Sequence, residues 1–183
     1  MRGATSGTVQ DNTVTDHARR GMLLRESSDL SVLRNTVRDN GEGGIGIGTG
    51  DPLDVVGANF FVTHNTIENN ALGRGLDIAG AGAVTVRNNT VSDSGATGVS
   101  LHAPEVELLS PDVSDNTITD SGGHGLFLIN VQGGAIARNT LQGNERTGML
   151  LRSSANCTIE ENILLLNREG GSGVNTGSVS YTH

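Results

Sequence analysis

Two neighbouring stretches decide the fold: Asn116-Thr117-Ile118 … Gly125-Leu126-Phe127-Leu128, and then Asn139-Thr140-Leu141 … Gly148-Met149-Leu150-Leu151. Each holds an asparagine, an aliphatic residue two positions on, and a glycine nine residues on that opens an apolar run. Working outward, the asparagine recurs at Asn12, Asn35, Asn65, Asn89, Asn116, Asn139 and Asn162, at intervals of 23, 30, 24, 27, 23 and 23 residues. Three positions before each stands Val9, Val32, Val62, Val86, Val113, Ile136 or Ile159. Two after stands Val14, Val37, Ile67, Val91, Ile118, Leu141 or Leu164. The glycines are Gly21, Gly44, Gly75, Gly98, Gly125, Gly148 and Gly171.

Self-similarity at a near-fixed period marks a repeat architecture. Each unit carries three short period-2 runs between turn residues, and no run is long enough for an amphipathic helix. One unit cannot bury its own apolar side chains, so units must stack. Equivalent strands stacked at about 4.8 Å form three parallel sheets around a thin core. The reading is all-β: one right-handed parallel β-helix over residues 1–183, of about seven coils at roughly 7–29, 30–59, 60–83, 84–110, 111–133, 134–156 and 157–183. The asparagines then stack as an internal ladder, each amide satisfying turn backbone that has lost water.

Composition agrees. The 183 residues include 27 glycines, and aromatics make up 2%, which suits a narrow core. The net charge is −8 and lysine is absent, so every fixed cation is arginine. An acidic chain without a basic stripe argues against nucleic acid. No apolar stretch reaches transmembrane length. Met1-Arg2-Gly3 opens no signal-peptide core, and neither end shows a full cap. The single cysteine, Cys157, falls on an inward slot matching Leu30, Phe60 and Val84, and reads as core. Residues 49–58 and 103–110 read as insertions leaving one corner of the solenoid, where long loops wall a groove.

The quoted units resemble the right-handed parallel β-helix repeats of the pectate-lyase-like superfamily over roughly residues 7–175. The resemblance places the glycine-led strand in the first sheet, which carries the substrate cleft. It implies a protein that acts on or binds polysaccharide, most naturally one containing uronic acid, by lyase or C5-epimerase chemistry. It also favours an extracellular or periplasmic location. The Tyr-Gly-Phe-Asp-Pro-His run of secreted alginate epimerases is absent from the sequence. The competing expectation is a non-catalytic structural or assembly module, or a fragment of a larger oligomeric protein.

If the residues at glycine +1 and +3 point inward, those at +2 and +4 point outward. That puts Asp77, Ser100, Phe127, His102 and Arg152 on the cleft face, with Arg74 and His124 just before their glycines. Asp77 and His102 should lie roughly 7–9 Å apart at the backbone, within side-chain reach. Removing a proton α to a carboxylate needs a base, a positive charge on that carboxylate and a proton donor. The expectations are His102 as base, Arg74 as neutraliser, His124 as acid, and Asp77 orienting His102. Ser100, Phe127, Arg152 and the insertion residue Glu105 would contact substrate. No cofactor is required and no metal ligand set is assigned. Calcium, if used, would have to be gathered from scattered carboxylates such as Asp51, Asp54, Glu105 and Glu107. Leu23, Phe127, Ile129 and Leu150 should leave apolar spots on the same sheet, suited to a homo-oligomer contact. A threonine row along the third sheet lacks the sustained paired array of an ice-binding plane.

Overall fold

The computed structural model describes residues 2–3, 6–48, 59–80, 82–103, 107–175 and 180–182. Among them the chain winds as a right-handed parallel β-solenoid of about seven turns, with three long sheets and no helix. The first sheet is seven-stranded and runs from Arg20–Leu24 through Gly43–Ile47, Leu76–Ala79, Val99–His102, Leu126–Ile129 and Met149–Arg152 to Ser172–Asn175. The second, of eight strands, holds the segments before each of the seven ladder asparagines and then Ser180–Thr182, and the third, of seven, those after each asparagine. The expected rows are in register: Thr13, Thr36, Thr66, Thr90, Thr117 and Thr140 are successive Cα partners on the third sheet.

The core is one narrow aliphatic column. Val32, Val62, Val86 and Val113 come from the second sheet and Val37, Ile67, Val91 and Ile118 from the third. Ile45, Leu76, Val99 and Leu126 close it from the first. Cys157 is buried among them, and burial raises its thiol pKa. The second insertion is shorter than the sequence implied. Ala103 and Leu108 are core residues, and Leu108–Leu109 pairs with Val131–Gln132 as a small fourth sheet.

The asparagine ladder is continuous. Asn65 Nδ2 donates to Asn89 Oδ1 at 2.9 Å, and Asn89 Nδ2 donates to Asn116 Oδ1 at 3.0 Å. Every ladder amide except Asn139 also donates to the carbonyl two residues back, as Asn89 does to Arg87 at 2.9 Å. The residue between is forced left-handed: Asp11, Arg34, His64, Asn88, Asp115, Arg138 and Glu161 all have φ between 50° and 58°. That conformation is costly for arginine and glutamate. The buried amide behind it holds the bend.

A second column, which the repeat reading missed, stands five residues after the first. Asn40 Nδ2 donates to Asn70 Oδ1 at 3.0 Å, and Asn144 Nδ2 to Asn167 Oδ1 at 2.8 Å. Ser94 and Ser121 interrupt it in the middle coils. This column explains the recurring glycine. A Cβ on Gly21 would stand 2.5 Å from Val37 Cγ1 and 2.7 Å from Asn40 Nδ2, and one on Gly98 would stand 2.4 Å from Ile118 Cγ2. The strand turns in so closely that only hydrogen fits.

Candidate active site

The outward row of the first sheet is Leu23, Gly46, Asp77, Ser100, Phe127, Leu150 and Gly173, each the Cα partner of the next. Beside it runs Ala79, His102, Ile129 and Arg152. Strand alternation and coil register, both readable in the sequence, therefore bring Asp77 and His102 onto one face.

Asp77 is the centre of the cluster. Its side chain keeps only 7% of its exposure although it projects from the outer face. A carboxylate so buried needs compensating charge. Arg74, three residues earlier, donates from Nη1 to Asp77 Oδ1 at 2.7 Å. Arg20, from the first coil, approaches Oδ2 with Nη1 at 3.4 Å and Nη2 at 3.5 Å. His102 Nδ1 lies 3.7 Å from Asp77 Oδ1, close enough for electrostatic coupling but too far for a hydrogen bond. Burial pushes the His102 pKa below the ordinary histidine value; Asp77 pulls it back up and Arg74 pushes it further down. The net direction favours the neutral imidazole, the form that accepts a proton.

The remaining expected residues divide. Ser100 is fully buried, and its Oγ has no partner among the described residues. It was expected to contact substrate, and here it lies beneath the accessible surface. His124 stands apart from this cluster, with its ring centroid 5.4 Å from that of Phe127. Burial and Arg146 lower its pKa, while Glu169 raises it. No contact among the described residues joins His124 to His102 or Asp77. Arg152 is exposed at the strand end, opposite Ile129. Glu105, like Asp51 and Asp54, lies outside the described residues. Among the described residues no group of His, Cys, Asp and Glu gathers as a cation site. The apolar spots expected on this sheet are half-buried: Leu23, Phe127, Ile129 and Leu150 are all partly covered. Among the described residues, the large exposed apolar side chains are instead Phe61, Leu72, Leu109, Ile163, Leu165 and Leu166.

Arg20 is the site residue that sequence reasoning did not reach. One signal was present: Arg20 and Arg74 occupy the same slot, immediately before the strand glycine. Their separation along the chain hides the shared carboxylate.

The comparisons with known proteins agree with this architecture. No curated protein matches the sequence significantly. Among solved structures, the A-module of the mannuronan C-5 epimerase AlgE4 from Azotobacter vinelandii is similar, with a TM-score of 0.55 at 16% sequence identity. The similarity covers 94% of this chain and 53% of that module, so the chain spans about half the length of that relative. No helix among the described residues is long and apolar enough to cross a membrane. A family model described as "Right handed beta helix region" matches residues 1–91 and 57–183, and the chain belongs to that family.

Proposed function

We propose that this protein is a carbohydrate-active β-helix that binds a uronate-containing polysaccharide on the outer face of the first sheet and removes a proton α to a sugar carboxylate. The observation that carries this reading is the joining of Arg74, Asp77 and His102 on adjacent coils, with a buried carboxylate between a cation and a base. His102 takes the C5 proton as a neutral imidazole. The guanidinium charge beside Asp77 offsets the negative charge that develops on the sugar carboxylate. In elimination, the C4–O bond breaks and His102 returns its proton to the departing oxygen. In epimerisation, a donor on the opposite face reprotonates C5. His124 is the residue proposed for that role, but burial lowers its pKa and so leaves little of the protonated, donating form at neutral pH. Calcium is not needed for charge neutralisation where two arginines already stand. The epimerase named above supports the polysaccharide class.

The test is incubation with alginate, pectate and glycosaminoglycans, with and without calcium. Ultraviolet absorbance reports unsaturated ends and proton NMR reports inverted C5 centres. His102→Gln should abolish whichever product appears while the melting temperature stays within a few degrees. No product by either readout overturns the enzymatic reading. The second reading, a structural or assembly module, is favoured by the exposed Ile163 and Leu165 on the last third-sheet strand and Leu166 just after it. Light scattering showing a stable oligomer of an inactive protein would support it.

A further inference from the structure

We infer that Arg20 is the residue that receives the substrate's carboxylate, and that Gly46 is bare so that it can; the inference rests on the uronate reading above. Arg20 opens the first-sheet strand of coil one, and its Cα partner on coil two is Gly43. Coil two contributes Gly43-Gly44-Ile45-Gly46-Ile47, whose outward strand position 46 carries no side chain, and Gly48 follows it. The strand is therefore the floor of a trough one coil wide, between Leu23 and Asp77. The Arg20 side chain lies down in that trough. A Cβ on Gly46 would stand 2.4 Å from Arg20 Nη1, 2.9 Å from Cδ and 3.0 Å from Cζ. Gly46 is not among the positive-φ glycines, so the backbone makes no demand for glycine there. The space above it does.

Asp77 is shared unequally at the end of this reach. Arg74 makes one short bond to Oδ1, while Arg20 makes two contacts to Oδ2 near the limit of hydrogen bonding. Most of the Arg20 donors meet no acceptor among the described residues, though the side chain is only 21% exposed. A half-buried guanidinium with open donors and a planar fork is a receptor for a second carboxylate, which it can take in two parallel bonds. The charge count points the same way. Two guanidiniums face one carboxylate beside an imidazole held toward neutrality, leaving a positive surplus on a chain of net charge −8. One sugar carboxylate balances that surplus; a neutral sugar does not. Arg74 then serves as the clamp that fixes Asp77, and Arg20 as the group that reads the ligand.

The experiment follows the arginine Nε–Hε resonances by NMR while glucuronate or glucose is added to the full chain, its Arg20→Gln variant and its Gly46→Ala variant. Glucuronate should shift the Arg20 resonance and glucose should not. Both substitutions should weaken glucuronate binding by about tenfold, the loss of a hydrogen bond to a charged group. Arg20→Lys, which keeps the charge without the fork, should recover only part. The shift in the unsubstituted protein decides the matter even if a variant unfolds. A protein that processes polyuronate while both variants bind glucuronate as tightly as the parent overturns this inference and leaves the enzymatic reading standing. A glucuronate shift at Arg20 in a protein inert to every polyuronate upholds the carboxylate receptor and overturns the enzymatic reading. No response of Arg20 to glucuronate overturns the inference outright.

Discussion

Replacing Asn89 by leucine removes one rung from the middle of the ladder with little change in volume. Asn89 is 1% exposed. Its Oδ1 accepts from Asn65 N and Asn65 Nδ2, both at 2.9 Å. Its Nδ2 donates to Val62 O and Arg87 O at 2.9 Å and to Asn116 Oδ1 at 3.0 Å. In the variant, Asn65 Nδ2 keeps Val32 O and Thr63 O, and Arg87 O keeps the His64 amide. The Asn65 backbone N–H, however, loses its acceptor inside a sealed corner. Stranding one buried donor costs about 1–3 kcal/mol, and the lost net hydrogen bonds add about 1 kcal/mol, giving roughly 2–4 kcal/mol. The left-handed Asn88 also loses the amide that bridges its bend. Asn12 is the internal control. It is exposed and donates to Gln10 O and Asn35 Oδ1, and no described residue donates to its Oδ1. Asn12→Leu should cost under about 1 kcal/mol, because water replaces what the leucine cannot supply. Urea unfolding followed by circular dichroism, with hydrogen exchange at Asn65 N, measures both. Equal losses for the two variants, or less than about 0.5 kcal/mol for Asn89→Leu, would refute the claim that buried amides hold the corner.

The second column offers a change in the opposite direction. Ser94 Oγ is buried and unpartnered among the described residues, and Gly75 leaves a slot beside it like that beside Asn40 at Gly21. Ser94→Asn should extend the rung from Asn70 and raise stability by about 1 kcal/mol; a loss in thermal melting would show that the slot is too small. Gly98→Ala drives a Cβ to 2.4 Å from Ile118 Cγ2 and should cost about 3 kcal/mol in the same assay, whereas a neutral result would mean that the corner yields. His102 and His124 both have lowered pKa values, so below about 6.5 the unfolded chain takes up protons that the folded chain refuses. Stability should therefore rise with pH through that window and fall on acidification, and His102→Gln with His124→Gln should flatten the slope. The carboxylates of Asp11 and Asp115, lowered by their bonds to Arg34 and Arg138, act only at more acidic pH. The two limbs are separable by titration.

The fold was legible because its strongest signal is polar. Seven asparagines in register are improbable as turn residues and necessary as a buried column, so one residue type gave the period, the bend and the inward face. The second column was harder to read because Ser94 and Ser121 break the asparagine pattern, and His17 replaces it in the first coil. A repeat defined by slot size and bonding capacity tolerates serine; a repeat defined by residue name does not. Leu108 was missed for a related reason: a two-residue strand has no period to detect.

The same difference in range explains the site. Asp77 and His102 were found because register moves by one coil and alternation by two residues, both of which the sequence displays. Arg20 and Asp77 are 57 residues apart, and their meeting depends on a side chain lying across a strand that happens to be bare. What connects them is Gly46, and a glycine in a glycine-rich chain carries no message until the space above it is seen filled. The physics nonetheless requires some such partner. A carboxylate held at 7% exposure beside a single arginine and a neutral histidine would sit in a field with no surplus positive charge. It would offer an anionic sugar no net attraction. The second guanidinium supplies the surplus. An acidic protein can attract an acidic polymer only where the local field opposes the global one. On the uronate reading proposed above, the trough over coil two is where Arg20 and Arg74 would bring that about.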